Sequence, residues 1–133
     1  MDNCLMVLKK MVDNMIEEEY DNQLLKSIML DIIGGLAYLD LEGNYVLAND
    51  YYCESFGCTK EEMIGSKYSK FVFPSDMPKL QESYWEMMEN GRSSVIFKGV
   101  RKDGVPFTKE VTMVKRHNSR GEFIGCYSFM RVL

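Results

Sequence analysis

The side chains able to do chemistry are few, and their spacing limits what they can do. Four cysteines, Cys4, Cys53, Cys58 and Cys126, share the chain with a single histidine, His117. There is no Cys-x-x-Cys pair, and one imidazole cannot complete a tetrahedral zinc set from thiols so scattered. Cys53 and Cys58 make a Cys-x4-Cys step, but the further thiol a plant-type iron–sulfur site requires would fall where Lys60 and Glu61 stand. The cysteines read as free, mostly buried thiols. Glu61 and Glu62 are the best-placed acids, yet Thr59-Lys60-Glu61-Glu62 is already accounted for as a capping box flanked by Cys58 and Met63 as its hydrophobic staple. No Ser/His/Asp order, metal set or phosphate-cradling glycine loop can be assembled, so no catalysis is expected.

Composition narrows the classes further. A chain of 133 residues with 46% apolar side chains is the size of one domain with a core that needs no staples. The formal charge of −4 gives no reason to expect nucleic acid. Residues 1–33 hold three lysines against seven acids, leaving 13 of each sign in the rest, so the acidic excess sits on the N-terminal segment. No apolar run approaches the roughly 20 residues that span a bilayer, and Lys9 and Lys10 interrupt the one that imitates a signal peptide. A cytoplasmic protein without a membrane partner is the expectation.

The elements that must position these groups follow from periodicity. Leu5, Leu8, Val12, Met15, Ile16, Tyr20, Leu24 and Ile28 form a helical stripe, and Asp21-Asn22 could cap a second helix, so residues 1–33 read as one amphipathic helix or a pair. Its heptad step is too short to specify a coiled coil. Residues 36–39 and 45–48 are β-prone around the turn Asp40-Leu41-Glu42-Gly43-Asn44, a hairpin signal. At Asn49 the period changes, with Tyr52 and Phe56 on one helical face and Gly57 in the C′ place. A one-turn helix after Thr59 ends at Gly65, residues 67–73 are irregular and aromatic, and Pro74-Ser75-Asp76 opens a helix with Met77, Leu80, Tyr84 and Met88 on one face. Three strands finish the chain, over residues 94–102, 106–116 and 122–132. By parity Val95, Phe97, Val111, Met113, Phe123, Tyr127 and Phe129 share a face; Ile96, Val100, Val114, Ile124, Cys126 and Met130 share the other. Both faces are partly apolar, so each should be covered. The expected class is α+β: a five-stranded antiparallel sheet with short helices on one face, and the N-terminal helix on the other face or on a dimer partner.

An ordered series of motifs resembles the PAS sensory domains over residues 34–133. It runs from Leu39-Asp40-Leu41-Glu42-Gly43-Asn44 and Ala48-Asn49 to Phe56-Gly57-Cys58-Thr59-Lys60-Glu61-Glu62-Met63-Ile64-Gly65. Pro74-x-Asp76, Arg101-Lys102-Asp103-Gly104 and Gly121-x-x-x-Gly125 follow. The resemblance implies a PAS fold, a small-molecule pocket under the helices and a homodimer formed through the N-terminal helix. It also implies an effector, a histidine kinase, a cyclic-dinucleotide enzyme or a transcription factor in the family at large, with a kinase or cyclic-dinucleotide enzyme in the same or another chain expected here. The chain stops where family members run on into a linker, so a longer protein is expected.

The resemblance also weighs the cofactors. Light-sensing flavin members carry a thiol that attacks the flavin, at the place of Tyr68, and their flavin-holding amides would fall at Gly99, Lys109 and Tyr127. An adduct-forming flavin is therefore not expected. Haem members take a histidine from the long helix, which has none here; a non-covalent flavin stacked on Trp85 stays open, and no cofactor is assigned. By resemblance the pocket is lined by Leu39, Tyr52, Phe56, Met63, Phe71, Phe97, Val111 and Tyr127, with polar groups from Asn49, Tyr68 and Lys109. Asn49 also suits a plain helix cap. Lys109 shares a parity with Phe107, Val111 and Met113, and is expected to snorkel outward unless it meets an acid or an anionic ligand. The reading is a ligand-gated sensor; its alternatives are a ligand-free interaction module and a non-covalent flavin or haem redox sensor.

Overall fold

The computed structural model describes residues 34–133, so the helical expectation for residues 1–33 lies outside the described residues. The chain opens with β1 (Gly35–Leu39), β2 (Tyr45–Ala48), α1 (Asp50–Phe56) and α2 (Lys60–Met63). Two 3-10 turns (Tyr68–Phe71 and Pro74–Asp76) lead into α3 (Met77–Asn90), and β3 (Arg92–Val100), β4 (Pro106–His117) and β5 (Phe123–Val132) complete it. The strands make one antiparallel sheet in the order β2-β1-β5-β4-β3, so the first and last strands are neighbours at its middle.

Local chemistry explains the element ends. Asp40 Oδ1 accepts from the amides of Glu42 and Asn44 at 3.0 and 2.9 Å, which folds the turn between β1 and β2. Gly57, at φ 69°, closes α1. The capping box forms as expected: Glu62 N donates to Thr59 Oγ1 at 3.2 Å and Thr59 N donates to Glu62 Oε1 at 3.0 Å. The Lys102 ammonium on the same carboxylate, with the Thr59 amide, holds Glu62 down to about 2.

Helix α3 lies on a slightly different face from its apolar stripe. Leu80, Ser83 and Met87 are the buried positions. Met77, Tyr84 and Met88 are only partly covered. The reason is a pair of small hydroxyls: Ser83 Oγ donates to Ser93 Oγ at 2.9 Å, and Ser93 Oγ donates to the Ser83 carbonyl at 2.7 Å. They tie the helix to β3, a contact invisible to a count of apolar residues.

One strand corrects the parity reading. Val111 pairs with Met130, Met113 with Ser128 and Lys115 with Cys126, whereas His117 pairs with Phe123, the register shifting between Arg116 and His117. Ile124 is the extra residue of a β-bulge, and a one-residue slip sends every later side chain to the opposite face. Cys126 and Met130 therefore join the core beneath the helices. Tyr127 and Phe129 turn to the other face, where Tyr127 packs 6.1 Å from the Tyr38 ring and 6.2 Å from Phe129.

A cavity between the sheet and the helices

The helical face of the sheet encloses a cavity of about 400 Å³. Its inner wall is made by Tyr45 on β2, Tyr52 on α1, Phe97 on β3, Lys109 and Val111 on β4, and Ser128 on β5. Its mouth lies between the β1–β2 turn and α3, where Leu41 and Trp85 are 58% and 66% exposed. A volume of this size is ordinary for small-molecule sites.

Of the residues expected at the pocket, Leu39, Tyr52, Tyr68, Phe97, Lys109 and Val111 line it. Phe56, Met63 and Phe71 are buried beside it: the Phe56 ring lies 5.6 Å from Tyr52 and 5.2 Å from Phe71, and the Cys53 thiol reaches Met63 Sδ at 4.0 Å. Tyr127 is not in the cavity, because the bulge carries it to the far face. Tyr45, Cys126 and Ser128 take places the sequence reading missed. Gly125 was the available signal, since a glycine inside a strand marks a bulge and hence a change of face.

Asn49 serves the scaffold. Its Oδ1 accepts from the amides of Leu36 and Tyr52 at 3.1 and 3.0 Å, and its Nδ2 donates to the Gly34 carbonyl at 3.0 Å. One amide thus caps α1 and pins it to the head of β1, away from the cavity wall. Asn49→Ala should cost about 2 kcal/mol, the sum expected for a lost cap and a stranded buried amide. Asn49→Asp keeps both acceptor bonds and should cost less. Urea unfolding of the two variants checks the order.

Lys109 is the exceptional member of the wall. It is 2% exposed, which corrects the expectation that it snorkels out. The reason is its position on β4, a strand flanked by β3 and β5, with ring faces on the way to solvent. Its Nζ stands 4.2 Å from the Phe56 centroid, 4.9 Å from Phe97, 5.7 Å from Tyr52 and 5.9 Å from Phe107. Those ring faces favour a cation, yet no carboxylate among the described residues pairs with it. Burial pushes the ammonium from its ordinary 10.5 down to about 7.

The other polar wall groups form a chain. Tyr52 OH lies 3.1 Å from both Tyr45 OH and Ser128 Oγ. Two bonds use two of the three hydroxyl protons, which leaves one O–H to donate elsewhere. Burial raises both phenols and lifts the Cys126 thiol to about 12, so all three are neutral at physiological pH. Cys53 is similarly lifted to about 11, and neither is a ready nucleophile. His117 is exposed beside a turn. No group of three His, Cys, Asp or Glu among the described residues could hold a metal. None of the described helices is long and apolar enough to cross a membrane.

A five-stranded antiparallel sheet in this order, with short helices closing a cavity over one face, defines a PAS-type domain. A family model for the PAS fold matches residues 23–133, and the chain belongs to that family. Solved structures agree. The PAS domain of a Colwellia psychrerythraea protein is 20% identical with a TM-score of 0.71, covering 84% of this chain and 98% of that one. A light-oxygen-voltage domain from a flavin-analogue study is 19% identical with a TM-score of 0.70, covering 85% and 86%. A PAS domain from a two-component sensor histidine kinase is 12% identical with a TM-score of 0.68, covering 84% and 95%. At these identities the likeness is one of fold. The search of curated proteins finds no match.

Proposed function

We propose that this PAS domain is a non-catalytic sensor: a small molecule binds between sheet and helices, and its occupancy is relayed through the N-terminal helix of a homodimer. The recipient is an effector of the histidine-kinase or cyclic-dinucleotide class. The observation that carries the reading is the cavity of about 400 Å³ with a buried Lys109 in its wall that meets no carboxylate among the described residues. A domain that only docked partners would gain nothing from a desolvated ammonium facing open volume, since an apolar residue there would be more stable. The path outward is short. Leu39 lines the cavity at one end of β1, and Gly35, at the other end, is where the chain arrives from residues 1–33. A ligand that favours one placement of β1 shifts the populations of whatever that segment contacts, by as much as its affinities for the two placements differ.

Native mass spectrometry of protein purified without refolding tests the proposal. The expected result is a small-molecule adduct that disappears on denaturation. A bare chain mass, together with no ligand-induced thermal stabilisation across a metabolite panel, would leave only the interaction module.

A further inference from the structure

Resting on that sensor reading, the geometry points to the class of guest: we propose that the cavity takes an amphipathic monocarboxylate, with its carboxylate on Lys109 Nζ and its apolar body running toward the mouth between Leu41 and Trp85.

Three observations carry this. The first is the charge balance of the inner wall. Its one ionic side chain is Lys109, unpaired among the described residues, and its other polar groups are neutral phenols, a hydroxyl and the Cys126 thiol. One ammonium matches one negative charge; a phosphate dianion would bring a second charge into a wall that offers it nothing. The second is the spare hydroxyl proton of the Tyr45–Tyr52–Ser128 chain, a neutral donor that also suits an oxygen acceptor. The third is the opposite end of the volume, where Leu41 and Trp85 stand exposed at the mouth and Leu80 and Val72 line the way in. The mouth itself is mixed, with Asp40, Glu42 and Lys67 beside Leu41 and Trp85, so the apolar stretch that suits a guest's body is the wall between floor and mouth. A floor with one ammonium and hydroxyl donors, and an apolar wall leading out from it, orient an anionic head inward.

Binding should couple to protonation, because only the ammonium pairs with a carboxylate. Besides Lys109, the titratable groups lining the cavity are the Tyr45, Tyr52 and Tyr84 phenols and the Cys126 thiol, all raised by burial, together with the Tyr68 phenol, and Asp40, Glu42 and Lys67 at the mouth. Asp40 is already committed to the turn amides. Lys109 is the member whose charge changes at about pH 7.

The test uses octanoate, octanol and octylamine, equal in chain and differing in head. Trp85 is the single tryptophan and sits at the mouth, so its emission follows occupancy directly, with calorimetry as a second readout. Wild-type protein at pH 7 should bind octanoate at least tenfold more tightly than octanol and should reject octylamine. Lys109→Met should lose at least tenfold for octanoate while keeping octanol. Wild-type affinity for octanoate should also weaken by up to about tenfold per pH unit above 7, and that for octanol should not. The pH series decides the matter even if the variant folds poorly. Octanol binding as well as octanoate, or octanoate affinity indifferent to both Lys109→Met and pH, would overturn the carboxylate assignment and leave the sensor reading intact. Silence from all three probes, with no adduct in native mass spectrometry, would overturn both.

Discussion

Gly125→Ala should abolish most of the stability of the domain, by 4 kcal/mol or more, and is expected to leave little folded protein at 37 °C. A methyl built on Gly125 would stand 2.1 Å from the Leu39 carbonyl oxygen and 2.9 Å from the Tyr38 ring, at a φ of +146° that L-residues rarely adopt. The backbone oxygen cannot retreat without parting β1 from β5, the pairing at the centre of the sheet. Steric overlap and backbone strain therefore add, where a typical destabilising substitution costs about 1 kcal/mol. Gly57→Ala is the control. It too has a positive φ, 69°, but nothing lies within 4 Å of the added methyl, so it should cost only about 1 kcal/mol of left-handed strain. Chemical denaturation of both variants separates the causes. Near-equal losses would mean that the bulge yields, and the account of the β5 register would be wrong.

The second large effect has the opposite sign. Lys109→Met should stabilise the ligand-free protein by about 3 kcal/mol at pH 7. The unfolded chain holds the lysine proton up to 10.5, whereas the folded chain releases it near 7. Between those values the unfolded state binds more protons, so wild-type stability rises with pH, by up to about 1.4 kcal/mol per unit. Summed over that window the burden approaches about 5 kcal/mol, and the surrounding ring faces return part of it. Methionine carries no such burden, so the gap should be widest at and below pH 7 and nearly closed by pH 10.5. Thermal and urea unfolding across that range measure it. A gap that stays constant with pH would show that Lys109 is charged and satisfied in the folded state, and would remove the ground for an anionic guest.

Much of the fold was legible because local signals agreed with one another. The β1–β2 turn, the glycine closing α1 and the capping box of α2 each rest on hydrogen bonds between near neighbours, which sequence spacing states directly. Strand existence in the last third was equally plain. What failed was any inference that depended on an even count through an irregular segment. The bulge at Arg116/His117 exchanged Tyr127 for Ser128 and Cys126 at the cavity, because strand periodicity has no memory across an inserted residue. Ser83 and Ser93 escaped notice for another reason: their contribution is small size and hydrogen bonding, and hydrophobic patterning records neither. Lys109 was singled out from the family resemblance together with its strand parity, and its neighbours explain its depth. A long side chain snorkels only if a route to water exists, and four aromatic rings stand around this one.

The central pairing of β1 with β5 sets the order in which the chain can mature. Gly35 faces Met130 across the ladder, so the middle of the sheet closes only when the last-made strand arrives. Until then β1–β2 and β3–β4 are two separate hairpins with raw apolar edges, a state that invites chaperones and proteases on the ribosome. So distant a closure also makes for sluggish refolding, on the order of milliseconds to seconds, readable by stopped-flow fluorescence.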